Sequence, residues 1–281
     1  MTGAPSLLNG FAELDPAWAR GCRALLRPGA DLGAPVVVFV HGTLDRASSF
    51  NRIARRLPGL NLVTYDRRGY QGSRSLGPAG GLDDHIADLR CIIEHVSQDR
   101  PVLLFGHSFG GDIAIATALQ DRSAIDGIVV FEPPMPWLET TARPTAPISL
   151  DAAQGGEAEA FFRRVVSDEA WEKLPPREKA DRRADSPAVA SDFSIIRHTV
   201  PFTLDALAGL SVPLSIGLGA ATSMPHHATS ATRVASAAPQ CAVISVDGAG
   251  HGAHLSHPDG VAQMIAAAAS REHREEQCAS S

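Results

Sequence analysis

Ser108 lies in the run Gly106-His107-Ser108-Phe109-Gly110, directly after the apolar residues 102–105 and ahead of a helical pattern over 112–119. A strand, a sharp corner and a helix in that order form a nucleophile elbow, G-x-S-x-G. The flanking glycines let strand and helix pass where a Cβ would collide. The corner holds the serine hydroxyl clear of the backbone, and the first N–H groups of the new helix point at the same spot. A serine hydroxyl becomes a good nucleophile only when a base takes its proton. Among eleven histidines, His251 is the base favoured by its setting, Asp247-Gly248-Ala249-Gly250-His251-Gly252, whose glycines give the ring room to reach back. His254 and His257 are its rivals, the latter preceding Pro258 at a helix start. The oxyanion formed by attack needs two backbone N–H donors. Phe109 supplies one by position, and the turn His41-Gly42-Thr43-Leu44 the other, with Thr43 preferred to Leu44. His41 reads as a brace of that turn and His107 as a packing or hydrogen-bonding residue inside the elbow.

The elements that must position these groups alternate. Val36–Val40, 62–65, 102–105, Ile125–Phe131, 214–218 and 242–246 are short apolar, β-branched runs of the kind buried in parallel sheets. Between them, Ser48 or Ser49 could cap a helix running to Leu57, and 82–96 places Ile86, Leu89, Ile92, Ile93 and Val96 on one helical face. A helix over 259–269 and a polar, frayed tail follow. Strand–helix alternation with short connections predicts a parallel sheet covered on both faces. Residues 7–35 supply one or two antiparallel edge strands. Residues 135–210 break the rhythm, with helical patterns over 157–174, 187–198 and 202–210. This segment reads as a helical insertion, placed to form a lid over the strand ends.

Together, His41-Gly42, Tyr65-Asp66-Arg67-Arg68-Gly69-Tyr70-Gln71-Gly72-Ser73, Gly106-His107-Ser108-Phe109-Gly110-Gly111 and Gly248-Ala249-Gly250-His251 resemble the signature blocks of the α/β-hydrolase superfamily, in order, over residues 34–265. The resemblance implies an eight-stranded, mostly parallel sheet with helices on both faces, a cap inserted after the sixth strand, and a Ser–acid–His triad in that chain order. It divides the chain into a core, 1–134 and 211–281, and a cap, 135–210. The departure is the acid. Thr222 stands about where the family places Asp after the seventh strand, and no carboxylate lies between Asp205 and Asp247. Some members carry the acid at the end of the sixth strand, where this chain has Glu132, so Glu132 is taken to orient His251 and stabilise its imidazolium. Asp247 and a Ser–His dyad without an acid are the alternatives. The segment Asp66–Gly72 is read as structural, its Asp66 and arginines fixing loops at the sheet edge.

The pocket belongs between the strand ends and the insertion. Thr43, Leu44, Phe109, Met135, Trp137, Trp171, Phe193 and His198 are its expected lining, from position and apolar character. No cluster of Arg or Lys stands beside the site in sequence, which favours a neutral, mainly apolar substrate. Asp83, Asp84, His85 and Asp88 have metal-ligand residue types but open a helix, where acids suit the dipole, so no metal site is expected. The chain has 281 residues, 44% hydrophobic, and a net charge of −6 with mixed signs, which gives no nucleic-acid surface. No leader pattern opens the first thirty residues and no apolar run spans a membrane. Cys22, Cys91, Cys241 and Cys278 are scattered like free thiols in a reducing cytoplasm. The expectation is a cofactor-independent, cytoplasmic serine hydrolase acting on an ester, thioester or lactone, of unspecified oligomeric state. A lyase, acyltransferase or cyclase on the same frame, or a binding protein with a vestigial site, are the alternatives.

Overall fold

The computed structural model describes residues 10–31, 33–97, 100–138 and 156–279, with the side chains of 271–279 excepted. Among these residues eight strands form one sheet: β1 Ala12–Glu13, β2 Ala24–Arg27, β3 Val36–Val40, β4 Asn61–Tyr65, β5 Val102–His107, β6 Ile125–Phe131, β7 Leu214–Gly219 and β8 Cys241–Val246. Their spatial order is β1-β2-β4-β3-β5-β6-β7-β8. β1 pairs with β2 and β2 with β4 antiparallel, and the five remaining pairings are parallel. The helices are α1 Asn51–Ala54, α2 Leu82–Ser97, α3 Phe109–Gln120, α4 Gly156–Val165, α5 Asp168–Lys173, α6 Pro176–Arg183, α7 Ser186–His198, α8 Leu204–Ala208, α9 His226–Ala237, α10 Ala253–Ser256 and α11 Pro258–Ala279.

The central strands are buried along their whole length, β3, β4 and β5 at every residue, because helices cover both faces. Alternate side chains divide between two cores. Val36, Val38, Val102 and Leu104 pack with α2, α3 and α9 on one face. Val37, Phe39, Leu103 and Phe105 pack with α1 and α11 on the other. A third cluster joins the segment between β6 and β7 to the sheet edge. Phe161, Phe162, Trp171, Ala188 and Val189 close over Leu44 and Tyr70.

Several boundaries differ from the sequence expectation. The pattern over 157–174 is two helices, α4 and α5, broken at Val166-Ser167, where the Ser167 hydroxyl accepts the Ala170 N–H and starts a new helix. The helix expected through Leu57 is shorter, a 3₁₀ turn over Ala47–Phe50 followed by α1, and the Ser49 hydroxyl accepts the Arg46 N–H. The pattern over 202–210 shrinks to α8, capped by Thr203. At the C-terminus α11 runs on to Ala279 in place of the expected frayed tail.

Candidate active site

β5 feeds Ser108, which feeds α3, and the turn between them is possible only with glycine on both sides. A Cβ on Gly106 would lie 2.5 Å from Gly110 O, and one on Gly110 would overlap the Val40 carbonyl oxygen. The turn forces Ser108 to φ 50°, ψ −129°, a strained conformation for a non-glycine residue. Its N–H donates to Phe131 O at 2.9 Å, and its carbonyl accepts Gly111 N–H at 2.7 Å, so neighbouring strand and helix fix the corner. The side chain is half-buried. Phe109 opens α3, so its N–H has no intrahelical acceptor.

The Thr43 turn follows β3 directly. His41 is buried and braces it: its Nε2 accepts the Arg67 N–H at 2.9 Å and its Nδ1 donates to Gly42 O at 2.7 Å. Burial and the nearby Arg67 push the His41 pKa down to about 3, so the ring is neutral. Arg67, wholly buried, donates to His41 O and Gly42 O and forms an ion pair with Asp192 of α7 at 2.7 Å. The Asp192 carboxylate also accepts Tyr70 Oη at 2.6 Å and Thr43 Oγ1 at 2.9 Å. A residue of the inserted segment therefore holds the very turn proposed to carry an oxyanion donor. Burial alone would raise the Asp192 pKa, but Arg67 and His85 beside it hold the carboxyl well below the usual range.

Glu132 closes β6 with φ 45°, a left-handed corner that ends the strand abruptly. Its side chain is wholly buried and spans two loops. Oε1 accepts Gly219 N–H at 2.9 Å, and Oε2 accepts Thr222 Oγ1 at 3.2 Å. Oε2 also accepts His251 Nδ1–H at 2.8 Å. Thr222, at the position where a carboxylate is absent, thus donates to the carboxylate that reaches in from β6. Burial raises the Glu132 pKa, and the bonds from His251 and Gly219 outweigh it, leaving the group below its usual range. Burial lowers that of His251, with His107 adding to the effect and Glu132 opposing it. His251 is therefore a free base at neutral pH, with Nδ1 engaged and Nε2 available.

The structure brings together Ser108, Phe109 and the Thr43 turn at the ends of β5 and β3, and Glu132 with His251 beyond β6 and β8. His254, a rival base, is 3% exposed, its ring 4.0 Å from that of His107. Asp247 follows β8, and Glu132 holds the His251 contact. Of the expected lining residues, Met135 and Trp171 are buried, Met135 in the core above α3 and Trp171 edge-on to Phe162. Trp137 stands edge-on to Phe202 and Phe193 edge-on to Phe161, both partly buried, and Leu44 is buried against α4 and α7. His198 is exposed at the end of α7, with Nδ1 bonded to Ser194 O of its own helix. Asp88 of α2 accepts two bonds from Arg68 at 2.7 Å, and His85 faces Arg67 and Asp192, so that helix start is an ion-pair site.

Sequence reasoning did not single out Asp45, Asp192 or His227. His227 stacks on His251, ring centroids 5.3 Å apart and 11° from parallel, with its Nδ1 3.0 Å from Pro133 O. Among the described residues two groups of three have metal-ligand types, Asp45–His107–His254 and Glu132–His227–His251. In each the closest approach is a hydrogen bond between a histidine Nδ1 and a carboxylate. The His107 and His254 rings are also closer than two imidazoles on one tetrahedral ion can stand.

The model of the alpha/beta hydrolase family matches residues 37–264. The chain belongs to the alpha/beta hydrolase family. Within it, 109 residues are 31% identical to the monoglyceride lipase of Homo sapiens, covering 36% of each chain. A stretch of 162 residues is 26% identical to an sn-1-specific diacylglycerol lipase of Mus musculus, covering 56% of this chain and 48% of that one. The matches thus span about a third to a half of the length of these curated relatives. The carboxylesterase CesB of Bacillus subtilis shares the fold at a TM-score of 0.68 and 19% identity, covering 91% of this chain and 89% of that one. An eight-stranded, mostly parallel sheet with helices is the family's frame on this chain. Among the described residues no helix is long and apolar enough to cross a membrane.

Proposed function

We propose that this alpha/beta hydrolase is a serine hydrolase of small, mainly apolar esters, thioesters or lactones, working through an acyl-enzyme. The observation that carries the reading is the 2.8 Å bond between His251 Nδ1 and the buried Glu132 carboxylate. It makes the histidine of the glycine loop an oriented base and leaves its Nε2 for the nucleophile. Ser108 Oγ attacks the acyl carbon while His251 Nε2 takes the hydroxyl proton. The Thr43 and Phe109 N–H groups stabilise the oxyanion. As the tetrahedral intermediate collapses, His251 returns the proton to the departing alkoxide or thiolate. Water then repeats the sequence on the acyl-Ser108, releasing the acid.

Two features favour a neutral substrate over an anionic one. Arg67, the cation beneath the Thr43 turn, is engaged by Asp192 and fully buried. The segment 135–210 lays an apolar cluster over Leu44, which supports its role as a cap. Residues 1–134 and 211–281 then form the core. Free thiols at Cys22, Cys91 and Cys241 fit a reducing compartment, the cytoplasm.

The test is a panel of activated esters with the wild type and Ser108→Ala, alongside labelling by a fluorophosphonate probe. Turnover and labelling should both vanish in the variant. Retained turnover in Ser108→Ala would refute the nucleophile assignment.

A further inference from the structure

His107 precedes Ser108 at the end of β5 and is 4% exposed. Its Nδ1 lies 2.9 Å from Asp45 Oδ2, and its Nε2 lies 2.9 Å from the main-chain oxygen of His251. A carboxylate and a carbonyl only accept hydrogen bonds, so both ring nitrogens must bring a proton. A neutral imidazole has one N–H and would leave two lone pairs facing each other on its other side. Asp45 is not the missing donor. Burial raises its pKa, but His254 and His107 beside it outweigh that and hold the carboxyl well below the usual range. Its other oxygen accepts Ser49 Oγ at 3.0 Å.

We propose that His107 is held as a doubly protonated imidazolium between Asp45 and the His251 carbonyl, a positioning residue that fixes the base loop and sets a positive charge beside the His251 ring. The proposal rests on the reading of His251 as the base. The chain of contacts runs Asp45–His107–His251, so the residue after the Thr43 turn is tied through the elbow to the loop that carries the base. One charged side chain thereby locks three segments that must meet to within fractions of an ångström. Truncating the ring releases the loop at its main chain, the atom that sets where the imidazole starts.

The electrostatic part follows from position. The His107 ring centroid is 5.0 Å from that of His251. Five titratable groups face His251: Glu132 at the end of β6, His227 of α9, His107 of β5, Asp45 beyond the Thr43 turn, and His254 of α10. Glu132 and Asp45 favour its protonated form. His107 opposes it and keeps the base free at lower pH. His254 stays neutral, because burial and the His107 ring, tilted against it with centroids 4.0 Å apart, both disfavour a second charge. His227 is neutral as well, its pKa pushed down to about 3 by burial and by His251.

The decisive measurement is the protonation state of His107 itself, read from long-range proton–nitrogen spectra of histidine-labelled protein at neutral pH. Protons on both His107 nitrogens are expected in the wild type. In Asp45→Asn a single proton on Nε2 is expected, since the Asn amide can donate to Nδ1 and keep the contact without charge. A single neutral tautomer in the wild type overturns the proposal whether or not any variant folds. So does a bound metal ion that disappears in Asp45→Asn. In His107→Gln the acid limb of kcat/KM should move to higher pH; a fall in kcat with that limb unmoved removes the electrostatic role. Failure of Ser108→Ala to abolish turnover would instead strike the triad and leave the spectrum of His107 unaffected.

Discussion

Asp192→Asn changes one oxygen to an NH2 and leaves a buried cation without its counter-charge. Asp192 accepts from Arg67 at 2.7 and 3.1 Å, from Tyr70 at 2.6 Å and from Thr43 at 2.9 Å. The amide keeps one acceptor oxygen, but its NH2 now faces donors, and Arg67 has no exposure through which water could reach it. Removing one partner of a buried ion pair costs about 3–5 kcal/mol. For a domain somewhat larger than 250 residues, where each kcal/mol moves Tm by roughly 2–4 °C, the melting temperature should fall by roughly 10 °C. The deficit should be the same from pH 5 to pH 9, because the carboxylate is ionised, and Arg67 charged, across that window. Replacing both partners, Arg67→Met with Asp192→Leu, removes the unpaired charge and should recover most of the loss. Activity supplies a second reading. If Thr43 provides an oxyanion N–H, loosening its turn should lower kcat, by up to the 10²–10³-fold that loss of one such donor costs, with KM little changed. Thermal unfolding and activated-ester kinetics on the single and double variants test this. A Tm drop under about 2 °C, together with unaltered kcat, would show that the pair neither stabilises the fold nor places the turn.

Glu132→Gln keeps the shape of the acid and removes its charge; kcat should fall by about three to four powers of ten, and a loss under about tenfold would exclude Glu132 as the acid. Thr222→Val deletes one donor to Glu132 while Gly219 N–H and His251 remain, so kcat should drop only about tenfold, near the 1.4 kcal/mol of one charge-assisted bond. Burial depresses the pKa values of His41, His85, His227, His251 and His254 in the folded protein, His41 and His227 to about 3. Below pH ~6.5 the unfolded chain therefore binds more protons, and each histidine removes up to about 1.4 kcal/mol per pH unit until its folded value is reached. The urea midpoint should fall steeply between pH 6.5 and 5. Asp66 and Asp112, raised by burial, offset part of the fall; a midpoint that does not move would show these rings to be solvated.

The elbow was legible because its signal is local. An apolar strand, two glycines spaced around a serine and a helix occupy about twenty consecutive residues, and steric exclusion at Gly106 and Gly110 admits one kind of turn. The loop that carries His251 was legible for the same reason, through Gly248, Gly250 and Gly252 around it. Glu132 required one step more. The missing carboxylate after β7 directed attention to the end of β6, and the structure places that side chain on His251. The pocket residues rest on position and apolar character alone. Periodicity says that Trp171 and Phe193 belong to apolar helix faces, and does not say that those faces close on Phe162 and Phe161.

Sequence alone determined the order of the central strands, the corner at Ser108, and the placing of glycine where the backbone bends or approaches itself. These depend on φ/ψ limits and side-chain periods that act over a few residues. Only the tertiary structure decided the polar pairings: Asp192 with Thr43 across 149 residues, His251 with Glu132 across 119, and His107 with the His251 carbonyl across 144. A buried charge or ring nitrogen takes whichever partner the packed elements bring within about 3 Å, and no local pattern encodes that meeting.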